Sequence, residues 1–409
     1  MYKRSIKSLL ERALSRAPVV LLNGARQVGK TTLALELLKE KKYNYITFDD
    51  EITYLAAKGN SSGFIADLEK PVIIDEVQRV PEIFLSIKRD IDLNRIPGRY
   101  LLTGSANPLL IPTLGDSLAG RMEIVDMMPL SQGELLGIQE NFIDSIFGDF
   151  PLKAPINTLT KEELYQKILK GGYPTVQHLN SEDQLAWVHS YISLLLQRDI
   201  KDLANVEKLT EFPNLLKILA ARVSGLINIA EFSRETRINA KTLHRYVALL
   251  ETIFIISLQS PWHTNLAIRF VKSSKLYLLD TGLLVYLLGM NIERALKDPM
   301  LMGGILENFV VSELKKQATW NKTRVQLYHF RTLNGEEVDI VLENLAGEIV
   351  GIEIKNNARV THQDFKGMRY LQEKSKDKFI KGIILYTGTQ YIPFGDNLYA
   401  MPINSLWES

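Results

Sequence analysis

The loop Gly24-Ala25-Arg26-Gln27-Val28-Gly29-Lys30-Thr31 lies between the apolar run Val19–Leu22 and the helical pattern TLALELLKE, and no other stretch narrows the possible folds as far. A short apolar run closed by glycine reads as a buried strand, so the order is strand, loop, helix. Gly24 and Gly29 let backbone N–H groups turn inward around a phosphate, and the helix behind them presents its positive N-terminal end. The spacing GxxxxGK[ST] makes Gly24 to Thr32 the candidate nucleotide-binding run. Within it Lys30 would reach the β- and γ-phosphates and Thr31 would bind Mg²⁺.

A second element agrees with the first. Pro71-Val-Ile-Ile-Asp75-Glu76 is an apolar strand ending in two carboxylates. Asp75 would hold Mg²⁺ through water, and Glu76 stands where a base would orient and deprotonate an attacking water. Further strands are expected at Tyr45–Phe48, Tyr100–Thr103 and Met122–Val125, giving a parallel α/β sheet with polar residues at the strand ends where ligands sit. Ser105 and Asn107, after the Tyr100 strand, are either sensors of the γ-phosphate and lytic water or turn formers. Arg121 is either a guanidinium for the charge developing on the transferred phosphoryl group, in its own chain or a neighbour's, or a surface arginine.

Composition closes off other classes. A chain of 409 residues is expected to hold two or three domains, and 46% apolar with 23% charged residues is ordinary globular composition. The net charge of +2 neither drives nor forbids nucleic-acid binding, so any basic surface must be local. The absence of cysteine removes disulfides and thiolate zinc sites and fits a cytoplasmic chain, and the six histidines are scattered. The basic N-terminus reads as an amphipathic helix that is retained. Leu276–Met290, the most apolar stretch, is too short to cross a bilayer and contains Asp280.

The motifs LLNGARQVGKTTL, VIIDEVQ, YLLTGSAN and LAGRMEIVDMMPLSQGEL resemble those of AAA-type P-loop ATPases that carry a C-terminal DUF4143 domain. The resemblance continues through GGYP (171–174), QRDI (197–200), KLYLLDTGLL (275–284) and the run ENFVVSEL, FRTLNGEEVDIVLE and GIEIK between Glu307 and Lys355. It implies an α/β multidomain protein: a P-loop ATPase domain over 1–145, a helical and winged-helix middle over 155–295, and a C-terminal domain over 296–409 similar to PD-(D/E)xK nucleases.

The polar stretch Glu140–Thr160 breaks the periodicity and reads as a linker. Helices should follow to about Ala221. Gly225–Leu258 then reads as a winged helix-turn-helix, with an Asn239 cap and with Lys241, His244 and Arg245 on the exposed face of its second helix. The charge excess there is mild, and such modules serve as lids or protein contacts as well as DNA readers.

Val338–Glu343 and Ile349–Lys355 alternate like two strands around a turn holding Asn344 and Gly347. A hairpin centred on Ala346 sets Asp339 opposite Glu353, and Lys355 shares the face of Glu353. Facing carboxylates repel, which argues for a divalent cation between them. Asp339, Glu353 and Glu307 would hold Mg²⁺ or Mn²⁺, and Lys355 would activate water or steady a phosphate. Glu337 falls across from Lys355, and a plain ion pair is the competing use of that lysine. The expected function is Mg²⁺-dependent ATP hydrolysis controlling a metal-dependent nuclease-like or nucleic-acid-binding module for DNA or RNA. The alternative is a nucleotide-dependent switch that binds a protein partner through an inactive nuclease-like surface.

Overall fold

Val19–Asn23 forms β1, with all five residues buried, because it lies inside a parallel sheet with a strand on either side. The computed structural model describes residues 2–40, 43–105, 118–148, 152, 154–197, 211–269, 273–332 and 334–408. β2 (Asn44–Thr47), β3 (Val72–Asp75), β4 (Tyr100–Gly104) and β5 (Met122–Asp126) complete the sheet in the order β2-β3-β4-β1-β5, every neighbouring pair parallel. The register sets Leu22 beside Thr103 and Thr47 beside Asp75, so the polar strand ends share one edge. The amphipathic helix Lys7–Leu14 buries Leu9, Leu10, Ala13 and Leu14 on its way into β1. Ile74, Leu102, Phe84 and Ile87 belong to the core beneath the sheet.

This first compact unit comprises Met1–Leu130 with Thr252–Phe254; the second comprises Ser131–Glu251 and Ile255–Ser409. Glu140–Thr160 is not a plain linker. Phe142–Phe147 is a helix whose Phe142, Ile143 and Ile146 are fully buried, and Glu140 is buried before it. The helix is too short for its apolar face to register as a periodic pattern.

The helices Lys161–Lys170, Ser181–Leu195 and Phe212–Ala221 follow, then Ile229–Thr236 and Ala240–Thr252. Asn239 caps the last of these through the Lys241 N–H, and Lys241, His244 and Arg245 are exposed as expected. β6 (Ile256–Gln259) pairs antiparallel with β7 (Lys275–Leu278). Asp280 accepts from the Gly172 N–H and caps the helix Thr281–Leu287 through Leu283, which ties the GGYP segment to LLDTG.

β8 (Val325–Arg331), β9 (Glu337–Asn344), β10 (Ile349–Lys355), β11 (Phe379–Tyr386), β12 (Ile392–Gly395) and β13 (Leu398–Pro402) build a mixed sheet in the order β12-β13-β11-β10-β9-β8. β9 and β10 pair antiparallel from Ile349–Glu343 to Ile352–Ile340, the register centred on Ala346. The long helix Pro299–Trp320 is pinned to β7 by Asn308, whose amide accepts from Leu278 N at 2.7 Å and donates to Leu278 O at 3.0 Å. That bond pair places Glu307, one residue earlier, beside the β7 side chains.

Among the described residues no helix is long and apolar enough to cross a membrane.

Candidate active site

Gly24 has φ 151°, and a Cβ there would meet the Met127 carbonyl oxygen at 2.1 Å, so only glycine lets the loop leave β1 at this angle. Gly29 (φ 102°) and Gln27 (φ 61°) also take left-handed conformations, and the loop closes into the helix Lys30–Glu40. Lys30 is buried and donates to the carbonyls of Gly24 and Ala25, both at 2.8 Å, so its ammonium lies inside the curve of the loop. Arg26 is partly buried, Ala25 and Val28 are buried, and Thr32 is exposed. Behind the loop Arg4 donates to Val28 O at 2.7 Å and Met128 O at 2.6 Å, holding the turn from its far side.

Thr31, in the first turn of the helix, has its hydroxyl 3.1 Å from both carboxylate oxygens of Asp75. A hydroxyl and a carboxylate are the hard oxygen donors Mg²⁺ takes, so these two residues fit the ion. Asp75 is fixed further by Tyr45, whose hydroxyl donates to Oδ2 at 3.0 Å, and by the Thr103 hydroxyl on Oδ1. Burial first, then the Asp75 charge, pushes the Tyr45 hydroxyl up to about 12, which keeps it a donor.

Thr103 also accepts from the Glu76 N–H at 3.1 Å. One β4 hydroxyl therefore fixes both acidic residues at the end of β3. Glu76 has φ 58° and ψ 44°, a left-handed conformation that costs a non-glycine residue about 1 kcal/mol or more and turns its carboxylate off the strand line. That carboxylate accepts from Ser105 Oγ at 3.1 Å and from the Gln78 amide, which itself donates to Ser105 Oγ at 2.8 Å. Ser105 thus lies on Glu76. Asn107 lies outside the described residues, as does 198–200 of the QRDI motif. Arg121 donates to Asp92 at 2.5 Å, on the helix Ile83–Leu93.

The second constellation gathers around a residue the sequence did not single out. Lys275 Nζ, on β7, lies 2.9 Å from Glu307, 2.7 Å from Glu337 and 3.3 Å from Asp339. Tyr277 donates to the same Glu307 oxygen at 2.6 Å. Asp339 turns Oδ2 onto the Ile354 N–H at 2.9 Å, and Glu353 pairs with Lys355 at 3.0 Å. Lys355 therefore meets Glu353, whereas Glu337 turns to Lys275 and, at 3.8 Å, to Arg331. Burial and then the Asp339 charge push Glu307 and Glu353 up to about 8 each. Burial disfavours the Lys275 ammonium, yet Asp339, Glu307 and Glu337 more than reverse this and hold it charged.

These residues do not fit a Mg²⁺ or Mn²⁺ site held by Glu307, Asp339 and Glu353. An ammonium stands between two of the three carboxylates, and among the described residues no three His, Cys, Asp or Glu side chains form a metal-binding group.

Family models match in three blocks: an AAA domain over residues 16–136, a domain of unknown function (DUF8612) over 161–294 and a domain of unknown function (DUF4143) over 302–406. Uncharacterized proteins of Mycobacterium bovis and Mycobacterium tuberculosis are each 30% identical over 406 residues, 99% of this chain and 84% of theirs. The chain belongs to the AAA-type P-loop ATPases with a C-terminal DUF4143 domain. Solved structures overlap it in part. A Walker-type ATPase of Pyrococcus abyssi has TM-score 0.42 at 17% identity, covering 70% of this chain and 96% of that one. The Thermotoga maritima RuvB Holliday junction branch migration motor has TM-score 0.30 at 20% identity, covering 65% and 93%.

In this AAA-type ATPase the P-loop and the Asp75-Glu76 pair stand where their motifs set them. Its supporting residues Arg4, Tyr45 and Thr103 carry no motif spacing that would reveal them. Gln78 alone had a signal, two positions after Glu76 on the turn that follows the strand. In the DUF4143 domain Glu307 and Asp339 do meet, through a lysine from outside the β9–β10 hairpin.

Proposed function

We propose that this protein is a Mg²⁺-dependent ATP hydrolase. The observation that carries the reading is the Glu76 carboxylate, held by Gln78 and Ser105 one residue from the Asp75 carboxylate that faces Thr31. The loop Gly24–Thr31, Arg26 included, together with Thr32 just beyond it, would bind the phosphates through its N–H groups, and Lys30 would exchange its carbonyl partners for phosphate oxygens. Thr31 and Asp75 would hold Mg²⁺, which neutralises phosphate charge when bound. Glu76 orients a water and takes its proton, while Ser105 and Gln78 keep the carboxylate in one rotamer. Arg121 takes part in charge neutralisation only where its pair with Asp92 opens.

The test is ATP turnover by released phosphate beside nucleotide binding by fluorescence. Lys30→Ala should lose binding and turnover together. Glu76→Gln should retain binding and lose turnover by about 10²–10⁴-fold. Unchanged turnover in Glu76→Gln removes the mechanism.

For the C-terminal domain the position of Lys275 favours the switch reading over metal-dependent cleavage: ATP changes affinity for a protein partner, and the nuclease-like fold serves as a docking surface. DNA and RNA incubated with Mg²⁺ or Mn²⁺ should stay intact. Cleavage that Asp339→Ala and Lys355→Ala both abolish would restore the nuclease reading and with it DNA or RNA as substrate.

A further inference from the structure

We propose that Lys275 is the resident cation of the carboxylate cluster: its ammonium stands between Glu307, Glu337 and Asp339 where a divalent ion would otherwise bind, and a divalent-metal site opens only when that ammonium is removed. A lysine ammonium has three donors, and Lys275 meets three carboxylates, Glu337 at 2.7 Å, Glu307 at 2.9 Å and Asp339 at 3.3 Å. The remaining bonds close the group. Tyr277 donates to Glu307, the Ile354 N–H donates to the second oxygen of Asp339, and Lys355 pairs with Glu353. No carboxylate of the set needs an ion to satisfy it.

Distance and charge point the same way. Mg²⁺ draws its oxygens to about 2.0–2.1 Å and Ca²⁺ to about 2.3–2.6 Å, so a divalent ion would require the cluster to contract as well as to expel the ammonium. Lys275 is 2% exposed and enters from β7, so its ammonium is closed off from water. Lys355, paired with Glu353, adds a second ammonium, so two lysines stand among the four carboxylates. The same ammonium acts on a neighbour: after burial, its charge is the next cause holding His329 neutral, down to about 4. A lysine at the start of a four-residue strand, tied to three carboxylates from two other elements, is a built cation site whose cation is covalent.

The experiment is Mn²⁺ binding by electron paramagnetic resonance on the nucleotide-free full chain, in an Asp75→Asn background that silences the P-loop site. With Lys275 intact, Mn²⁺ should remain free. Lys275→Met should bind one Mn²⁺ per chain, Asp339→Asn added to it should abolish that binding, and the Lys275→Met unfolding temperature should rise with Mn²⁺. Should Lys275→Met fail to fold alone, refolding in Mn²⁺ is the readout, and recovery of folded chain with bound Mn²⁺ supports the proposal. Mn²⁺ bound with Lys275 intact and lost on Asp339→Asn overturns it. So does a folded Lys275→Met chain that binds none, or one recovered by no metal. Neither ATP turnover nor nuclease activity enters these readouts, so the failure of this proposal and of the catalytic reading are separable.

Discussion

Ser105 Oγ donates to the Glu76 carboxylate at 3.1 Å, and both residues share the Gln78 amide. Hydrogen bonds to a charged group are worth about 1.5–3 kcal/mol, which corresponds to roughly 10- to 100-fold in rate where the bond orients a catalytic group. Ser105→Ala and Gln78→Ala should therefore each lower kcat by about 10-fold or more while KM for ATP stays near the wild-type value. Steady-state turnover across ATP concentration checks this. A rise in KM with unchanged kcat would mean that these residues bind nucleotide instead of positioning the base.

Tyr45 reaches Asp75 from the edge strand β2 at 3.0 Å. A residue that orients a metal ligand typically contributes 10- to 100-fold to affinity or activity. Tyr45→Phe should raise the Mg²⁺ concentration for half-maximal turnover by about 10-fold and leave turnover at saturating Mg²⁺ near wild type. A Mg²⁺ titration at fixed ATP measures it, and an unmoved midpoint would assign Tyr45 to packing alone.

The parallel sheet was legible in the sequence because each strand is a short apolar run closed by a polar or glycine-rich turn, as Val19–Leu22 and Val72–Asp75 show. The Ala346-centred register was legible too, since hairpin geometry is local. Its side chains were not. Glu337 was expected across from Lys355, yet it bends to Lys275, whose strand is paired with β6 and lies far away in the chain. Lysine in KLYLLD reads as a solvated strand end, and only the tertiary fold reveals it as buried among carboxylates. Phe142–Phe147 escaped for a different reason: six residues are too few to display a helical period against polar flanks.

Gly24 and Gly120 make a controlled pair. Both have positive φ, 151° and 73°, but a Cβ on Gly24 meets the Met127 carbonyl at 2.1 Å, whereas one on Gly120 meets nothing within 4 Å. Gly120→Ala should cost only the left-handed penalty, on the order of 1 kcal/mol. Gly24→Ala must displace the P-loop backbone. It should abolish binding of a fluorescent ATP analogue, while Gly120→Ala binds within a few-fold of wild type.

Glu140 is buried beside Glu313, accepts from the Gly133 N–H at 3.1 Å and from the Ser131 hydroxyl, and is pushed up to about 8 by burial and then by the Glu313 charge. Its ordinary value is 4.5, so between pH 4.5 and about 8 the folded chain holds a proton that the unfolded chain releases. Stability then falls as pH rises through that window, because the folded state binds more protons. Glu307 and Glu353, both at about 8, act in the same direction. Urea midpoints measured from pH 5 to about 8 should fall for the wild type, and Glu140→Gln should fall less steeply, since its amide keeps the neutral form at every pH. The variant retains a residual slope from the other two carboxyls. Equal slopes in the two proteins would show that Glu140 releases its proton at the same pH in the folded and unfolded chain.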